Sequence, residues 1–257
     1  MPRNLTALRL QVETALAGRV AAPFSYRDRK LVEMVSAGIP EIDSLTGGLP
    51  RGGLTEICGP PCSGRTSLLV AALASRTAGA EACALVDGRD AFDPAAAAAA
   101  GVALKQLLWV RCHDIDQALR STDLLLQGGG FGMIAVDLSD IPPATVRYVP
   151  LNSWFRFRRA VEDTPTILLL LEQEANAKTC ASLVLRMGLE RQRWSAAAGE
   201  RLGGDFREHA AARLLGGAGV RAEIVRSSVM PIAGSASGAD GSAAEFEAGR
   251  ECEIRDL

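Results

Sequence analysis

The sequence predicts an α/β fold in which a mainly parallel sheet is flanked by helices, with a further helix at the N-terminus. From Val35 to about Arg193, short apolar runs alternate with helical stretches, which is the pattern of βαβ units. The run Thr166–Leu171 is apolar without a break and suits a central parallel strand that is covered on both faces. A phosphate-loop pattern between a predicted strand and a predicted helix is the third observation.

The composition excludes several classes of protein. With 48% hydrophobic residues in 257, the chain can bury a core, and its net charge of −2 gives no global attraction to nucleic acid. No apolar run reaches the roughly 20 residues that cross a bilayer, and the start lacks a continuous apolar signal core. We therefore expect a cytoplasmic protein. The six cysteines lack C-x-x-C spacing, so small buried side chains are favoured over disulfides or zinc ligands.

The predicted elements divide the chain into three parts. We expect residues 1–30 to form an N-terminal helix and extended arm, residues 31–232 a core domain, and residues 233–257 a flexible, Gly/Ser/Ala-rich and charged tail. Strands are predicted at Leu54–Cys58, Ala82–Asp87, Leu107–Val110, Met133–Asp137, Thr166–Leu171, Ser182–Arg186 and Arg221–Val225. Core helices are predicted at Thr66–Ser75, Ala95–Ala100 and Asn152–Glu162.

The N-terminal helix has an apolar stripe formed by Leu5, Leu8, Val12 and Leu16 after a capping Asn4. A helix of this length is marginal alone, so the stripe needs a surface to pack against. That surface is either the protein's own core or a neighbouring subunit or partner, and the sequence leaves both open.

The phosphate loop spans Gly59–Thr66 and has the spacing G-x-x-x-x-G-K-[ST], with Arg65 in place of the lysine. Glycines at 59 and 64 let the backbone N–H groups face a phosphate, and the following helix adds its positive dipole end. The Thr66 hydroxyl is placed to bind Mg²⁺. Arginine keeps the charge but is longer, planar and forked, so we expect binding to survive better than catalysis.

The stretch from Val35 to Ser75 resembles the opening of the bacterial RecA recombinase core. The resemblance implies a RecA-like nucleotide-binding domain. In the next segment Asp87 matches the aspartate at the end of a RecA strand, and Asp93 matches the aspartate that reaches adenine. Arg89 falls on the glutamate that activates the attacking water, and arginine cannot act as a general base at neutral pH.

The resemblance continues further along the chain. It implies that Asp137 ends the Walker B strand and helps to hold Mg²⁺, and that Gln173 is the glutamine that senses the γ-phosphate. Arg226 keeps one of the two charges that RecA sends to a neighbour's ATP, whereas Ser228 lacks the other. Both DNA-binding loops are short, the first cut down to about Pro142–Leu151.

The implied cofactors are ATP and Mg²⁺, with the metal on Thr66 and Asp137. Hydrolysis is doubtful because Arg65 and Arg89 occupy the positions of the lysine and the base, and Arg226 is the implied contact in trans. The implied nucleotide-binding residues are Gly59, Pro60, Ser63, Gly64, Arg65, Thr66, Ser67, Asp93, Asp137 and Gln173.

Within this superfamily the chain most resembles ImuA, a family of RecA-like accessory proteins of bacterial SOS mutagenesis cassettes. That resemblance implies docking on a RecA filament or an ImuB-type polymerase subunit, with weak or indirect DNA contact and room for self-association. Two alternatives stay open. One is an active ATPase of the RecA or KaiC class that uses Arg65 in the lysine's role, and the other is a SulA-like inhibitor of cell division.

One predicted helix interleaves aromatic residues with arginines and is a candidate interaction surface. Its mixture suits base stacking with phosphate contact, or a protein interface. Alternatively it is a core helix with Trp154, Phe157 and Val161 inward and the arginines in solvent. The interaction candidates are Trp154, Arg156, Arg158 and Arg159. A second cluster, predicted to be a solvated face, comprises Arg186, Arg191, Arg193 and Trp194.

Overall fold

The computed structural model describes residues 32–194, 215–229 and 243–248. The described residues from Glu33 onward belong to one compact unit. The predicted N-terminal helix with Leu5, Leu8, Val12 and Leu16 lies outside the described residues. Among those that are described, no helix is long and apolar enough to cross a membrane.

The described residues form the alternating strands and helices that the sequence predicts. The helices are α1 Pro40–Thr46, α2 Arg65–Ala78, α3 Pro94–Ala99, α4 Ile115–Gly128, α5 Pro143–Arg147 and α6 Leu151–Val161. The strands are β1 Met34–Val35, β2 Leu49–Pro50, β3 Leu54–Cys58, β4 Cys83–Asp87, β5 Leu107–Arg111, β6 Met133–Asp137, β7 Ile167–Glu172, β8 Leu183–Trp194, β9 Leu215–Ser227 and β10 Ala243–Ala248.

Within the described residues, eight strands form one sheet in the order β10-β9-β8-β3-β7-β6-β4-β5. The neighbours from β8 to β5 run parallel to one another, whereas β9 and β10 are antiparallel to the strands beside them. The predicted class, a mainly parallel sheet flanked by helices, is confirmed. The carboxyl ends of β3, β4, β6 and β7 therefore meet at one edge of the sheet, where α/β proteins bind ligands.

Helices cover both faces of the sheet because apolar side chains of the central strands alternate between two core clusters. Leu169 and Leu171 belong to the cluster that contains Leu68, Leu69 and Leu73 of α2. Buried residues of the opposite cluster come from the same strand and from α6: Leu168, Leu170, Trp154, Phe157 and Val161. Every residue of β7 is buried, as expected for the predicted central strand.

The last strands depart from the prediction. β8 and β9 are longer than the predicted Ser182–Arg186 and Arg221–Val225 because they continue as an antiparallel pair beyond the parallel core. Their outer residues, such as Arg191 and Arg193, are exposed and lack the alternation that marks a half-buried strand. The flexible tail predicted for 233–257 is corrected for Ala243–Ala248, which pairs with β9 and buries Phe246.

The cysteine prediction holds for four of the described cysteines. Cys58, Cys83, Cys112 and Cys180 are buried, and burial raises the pKa of the Cys83 thiol to about 12. Cys62 is exposed in the phosphate loop, with φ at 62°, so the prediction of a buried thiol is wrong at that position.

Candidate nucleotide site

The phosphate loop connects β3 to α2, and its two motif glycines are required by close contacts. Gly64 precedes α2 with φ at +84°, and a Cβ atom there would lie 2.7 Å from Cγ2 of Val220. A Cβ atom on Gly59 would lie 2.3 Å from the carbonyl oxygen of Met187. Both values are too short for any side chain, so the curl of the loop depends on glycine at these positions.

The loop has the features of an anion-binding site. Ser63 is 1% exposed, and its Oγ atom has no hydrogen-bond partner among the described residues. Gly64, the residue before α2, supplies no side-chain cap, so no acceptor from that position competes for the first N–H groups of the helix. A buried hydroxyl without a partner beside a helix N-terminus fits a phosphate group.

Arg65 is hydrogen-bonded to the backbone of the central sheet. Its side chain is buried, and Nη1 donates a hydrogen bond to the carbonyl oxygen of Glu172 at 2.6 Å. Burial lowers the pKa of the guanidinium, while the carboxylates of Asp137 and Asp140 oppose this shift. The arginine is thus a fixed charge between the N-terminus of α2 and the carboxyl end of β7.

Asp137 and Gln173 contact the same loop residue. Asp137 Oδ1 accepts the Ser139 N–H at 2.9 Å, and Gln173 Nε2 donates to the Ser139 carbonyl at 2.8 Å. Burial raises the pKa of Asp137. Among the described residues, no group of three or more His, Cys, Asp or Glu side chains could hold a metal ion. Mg²⁺ on Thr66 and Asp137 would therefore depend on ligands from the nucleotide itself.

A cleft of about 450 Å³ brings together four of the predicted nucleotide residues, Thr66, Ser67, Asp93 and Asp137. The remaining lining is mostly alanine, from α2, from α3 and from residues beside α3, so this wall is largely apolar. Of the eight lining residues that sequence reasoning missed, Phe92 and Asp140 are the two that are neither alanine nor valine. The available signals were their positions in the sequence, since Phe92 directly precedes Asp93 and Asp140 follows Asp137 by three residues.

A second depression, of about 300 Å³, lies on the other side of the phosphate loop. Thr66 and Ser67 line both cavities, and Ser63, Gly64 and Arg65 line the second one. Pro60 is exposed and lines neither of these two cavities. The opposite wall was missed because β8 to β10 were predicted short or flexible; it consists of Leu189, Gln192, Ala218, Val220 and Ala248.

The position matched to the catalytic base points away from the loop. Arg89 is exposed, and its Nη1 donates to the His113 carbonyl at 3.4 Å. Asp87 is buried and organises the segment after β4. It accepts hydrogen bonds from the backbone N–H groups of Arg89, Ala91 and Phe92 and from Nε1 of Trp109.

Asp93 and Arg226 are both engaged within the chain. Asp93 Oδ1 accepts the N–H groups of Ala95 and Ala96 and thereby caps α3. Arg226 Nη2 donates to the Ala181 carbonyl at 3.0 Å. The predicted contact of Arg226 with a neighbour's nucleotide stays a prediction.

The aromatic positions of α6 correct one candidate. Trp154 and Phe157 are each 1% exposed and Val161 is fully buried, so the core-helix interpretation is confirmed for these positions. The prediction of Trp154 as an interaction residue is wrong because its side chain packs inward, edge to face with Phe157.

The arginines of α6 lie at the surface. Arg156 pairs with Asp123 of α4, and Arg158 donates to the Thr179 carbonyl. Arg159 is 85% exposed. These three remain candidates for contact with a partner, whereas Arg186, Arg191 and Arg193 form the exposed face that was predicted.

The model of the RecA N-terminal domain family matches residues 7–145, which is more than half of the chain. The protein belongs to this family. RecA of Rickettsia canadensis is 32% identical over 137 residues, covering 52% of this chain and 40% of the relative. RecA of Deinococcus radiodurans is 33% identical over 129 residues, covering 49% and 36%. This RecA-family chain thus aligns with about two fifths of the length of these relatives.

A solved structure supports the fold independently. The crystal structure of the RadB recombinase is similar with a TM-score of 0.57 at 17% identity, over 83% of this chain and 95% of that one. At this identity the likeness supports the fold alone. The RecA-like resemblance drawn from the phosphate loop and strand ends is confirmed, and the narrower resemblance to ImuA remains an expectation.

Proposed function

We propose that this RecA-family protein is a catalytically degenerate accessory factor of damage-induced translesion mutagenesis in the cytoplasm, of the ImuA kind. It keeps a nucleotide seat and docks on a RecA filament or an ImuB-type polymerase complex. The observation that carries the proposal is the hydrogen bond from Arg65 to the Glu172 carbonyl. Phosphoryl transfer depends on charges positioned for the moving phosphoryl group, and a guanidinium bound to the sheet is already engaged.

The position of the general base supports the same conclusion. Arg89 stands there and faces His113 instead of the cleft. Of the three carboxylates that do line the cleft, Asp93 caps α3, Asp137 accepts the Ser139 N–H, and Asp140 is exposed in the loop after β6. None of them occupies the position from which the family activates water.

The docking surface that we assign is a stripe formed by Tyr148, Leu151 and Phe155, which are 85%, 37% and 44% exposed. Leu151 and Phe155 are one turn apart in α6. The stripe follows the short helix α5, at the place where the resemblance implies a DNA-binding loop.

The chemistry of this stripe favours a protein as its occupant. Exposed aromatic side chains beside arginines are typical of interface anchors. Arg158 and Arg159 follow the stripe on α6, so the matching surface would combine apolar side chains with an acidic rim. Single-stranded DNA is the other occupant that the test must distinguish.

The test of degeneracy is a sensitive ATP turnover assay on the full chain, with and without single-stranded DNA. We expect turnover at the background rate under conditions in which a bacterial RecA hydrolyses ATP. Robust hydrolysis that Asp137→Ala abolishes would contradict the proposal.

An active ATPase is the second candidate, favoured by the cleft that brings Thr66, Ser67 and Asp137 together. In that case Arg65 acts in the lysine's role, and Arg65→Lys would change turnover little. A large gain in ATP affinity or turnover in this variant would instead support the degenerate site.

A further inference from the structure

We propose that the nucleotide seat takes a nucleoside diphosphate in preference to a triphosphate, because the side chain of Arg65 fills the place of the terminal phosphate. The inference rests on the nucleotide seat of the proposed function and specifies its ligand class. It predicts a selectivity that is independent of whether hydrolysis occurs.

The position of Arg65 is the first step. The side chain at this position of a phosphate loop is the one that reaches the terminal phosphates. In this chain Arg65 is the first residue of α2, and its guanidinium reaches the carbonyl oxygen of Glu172, the last residue of β7. The Arg65 side chain is buried. The space beyond a second phosphate is therefore taken by the protein itself.

The partner of Arg65 cannot move aside easily. Glu172 lies opposite Cys58 in the parallel pairing of β7 with β3, in the middle of the sheet. A third phosphate at this place would have to displace the guanidinium and leave a buried carbonyl without its donor. A diphosphate ends before this contact and leaves the hydrogen bond intact.

The surrounding charges act in the same direction. The carboxylates of Asp137 and Asp140 attract the Arg65 guanidinium, and both line the cleft. A third phosphate would add negative charge beside these two carboxylates after pulling away the cation that balances them. In a diphosphate complex Arg65 remains their counter-charge, so the dependence of binding on Mg²⁺ should be weak.

The seat for two phosphates is otherwise intact. The unpartnered Oγ of Ser63, upstream of Arg65, and the uncapped first turn of α2, which begins at Arg65, provide donors. Thr66 and Ser67 lie between the two cavities that flank the loop, so both cavities border the same phosphate seat.

The experiment is titration calorimetry of the full chain with ADP and with ATP, each in Mg²⁺ and in EDTA. We expect ADP to bind at least about tenfold more tightly than ATP, as the loss of one charge-assisted hydrogen bond predicts. The ADP affinity should change less than about threefold between Mg²⁺ and EDTA. Arg65→Lys should remove the preference for ADP, because lysine is a compact charge on a flexible stem.

The matched control is Arg186→Lys, an exposed arginine on β8, which should keep the preference of the parent protein. ATP binding as tight as ADP binding, no binding of either nucleotide, or an unchanged preference in Arg65→Lys would each overturn the inference. If the lysine variant does not fold, the comparison of ADP with ATP on the parent protein decides alone. ATP binding as tight as ADP binding, without turnover, would overturn this inference and leave the proposed function standing. Robust hydrolysis together with a preference for ADP would contradict the proposed function and leave this inference standing.

Discussion

The Nη1 atom of Arg65 lies 2.6 Å from the carbonyl oxygen of Glu172, whose own carboxyl group is fully buried. Glu56 of the adjacent strand β3 is also fully buried. Asn176 joins the two carboxyls, since its Nδ2 donates to Glu172 Oε2 and its backbone N–H to Glu56 Oε1. The residue that holds the arginine in the nucleotide seat therefore belongs to a buried pair of acids.

Burial sets the ionisation of this pair. It raises the pKa of Glu172 well above its ordinary value, and the neighbouring Glu56 adds to the shift. Burial also raises the pKa of Glu56, against the effect of two backbone N–H donors. Glu56 Oε2 and Glu172 Oε1 have no partner among the described residues. A proton kept by Glu172 relieves the repulsion within the pair.

Glu172→Gln should stabilise the protein in a way that depends on pH. The folded-state pKa of Glu172 lies above the unfolded value near 4.5, so folding favours the protonated acid. Its contribution is fully present below that value and is lost as pH rises through the folded pKa. Because glutamine does not titrate, its advantage in the free energy of unfolding should be small near pH 4.5 and grow as the pH rises above that value. Urea unfolding at several pH values measures it.

The control for this prediction is Glu41→Gln, an exposed acid in α1. Its stability difference from the parent protein, measured over the same pH range, gives the effect of replacing an exposed glutamate by glutamine. A Glu172→Gln difference that does not change with pH would mean that the buried carboxyl ionises without cost to the fold.

The sheet and the phosphate loop were predictable because their signals are local. The unbroken apolar run of β7 marks a buried strand, and the spacing from Gly59 to Thr66 marks the loop without any knowledge of distant residues. The contact between Arg65 and Glu172 joins residues that are 107 positions apart. No pattern along the chain reveals it, since it depends on how α2 meets the end of β7.

Helix α6 shows where periodicity succeeds and where it is ambiguous. Trp154, Phe157 and Val161 have the spacing of one helical face, and that face is buried. The same residue types also suit an interface, so composition alone could not choose between them. The strand Ala243–Ala248 was missed because its small residues resemble a linker, and only the antiparallel pairing with β9 defines it as a strand.

Gly64→Ala should destabilise the protein more than Gly130→Ala. The two glycines have nearly the same φ, +84° and +83°, so the backbone strain of about 1–2 kcal/mol is shared. An added Cβ at Gly64 meets Val220 at 2.7 Å, whereas at Gly130 nothing lies within 4 Å. The excess cost in the free energy of unfolding, measured in urea, isolates the contact between the loop and β9.

Val220→Ala provides a second check, since it removes the methyl groups that the Cβ atom added by Gly64→Ala would strike. In the double variant the effects should be less than additive. Equal losses in the free energy of unfolding for the two glycine variants would show that β9 shifts without cost to accommodate the added Cβ atom. The loop would then not depend on its contact with β9.

Asp87→Asn should loosen the segment that carries Asp93 into the cleft. The two oxygens of Asp87 accept from three backbone N–H groups and from Trp109 Nε1. Asparagine replaces one oxygen by an amide that donates, so buried donors lose their acceptor at a cost of about 1–3 kcal/mol. Hydrogen exchange should speed up at the N–H groups of Ala91 and Phe92.

The control for this change is Asp90→Asn, in which a partly exposed carboxylate loses its ion pair with the exposed Arg111. Exchange at residues 91 and 92 should be unaffected there. Unchanged hydrogen exchange in Asp87→Asn would show that packing, and not the hydrogen bonds to Asp87, keeps this segment ordered.

Substitutions of two adjacent residues of α6 distinguish its buried face from the proposed docking stripe. Trp154→Ala should cost about 3–5 kcal/mol of stability, because the ring is 1% exposed and packs on Phe157. Phe155→Ala should change stability by less than about 0.5 kcal/mol, since the ring is 44% exposed, yet weaken capture of the partner. Pull-downs with a RecA filament, an ImuB-type subunit and single-stranded DNA compare the occupants. If Phe155→Ala captured the protein partners as well as the parent does, or lost only DNA capture, the assignment of the docking surface to this stripe would be wrong.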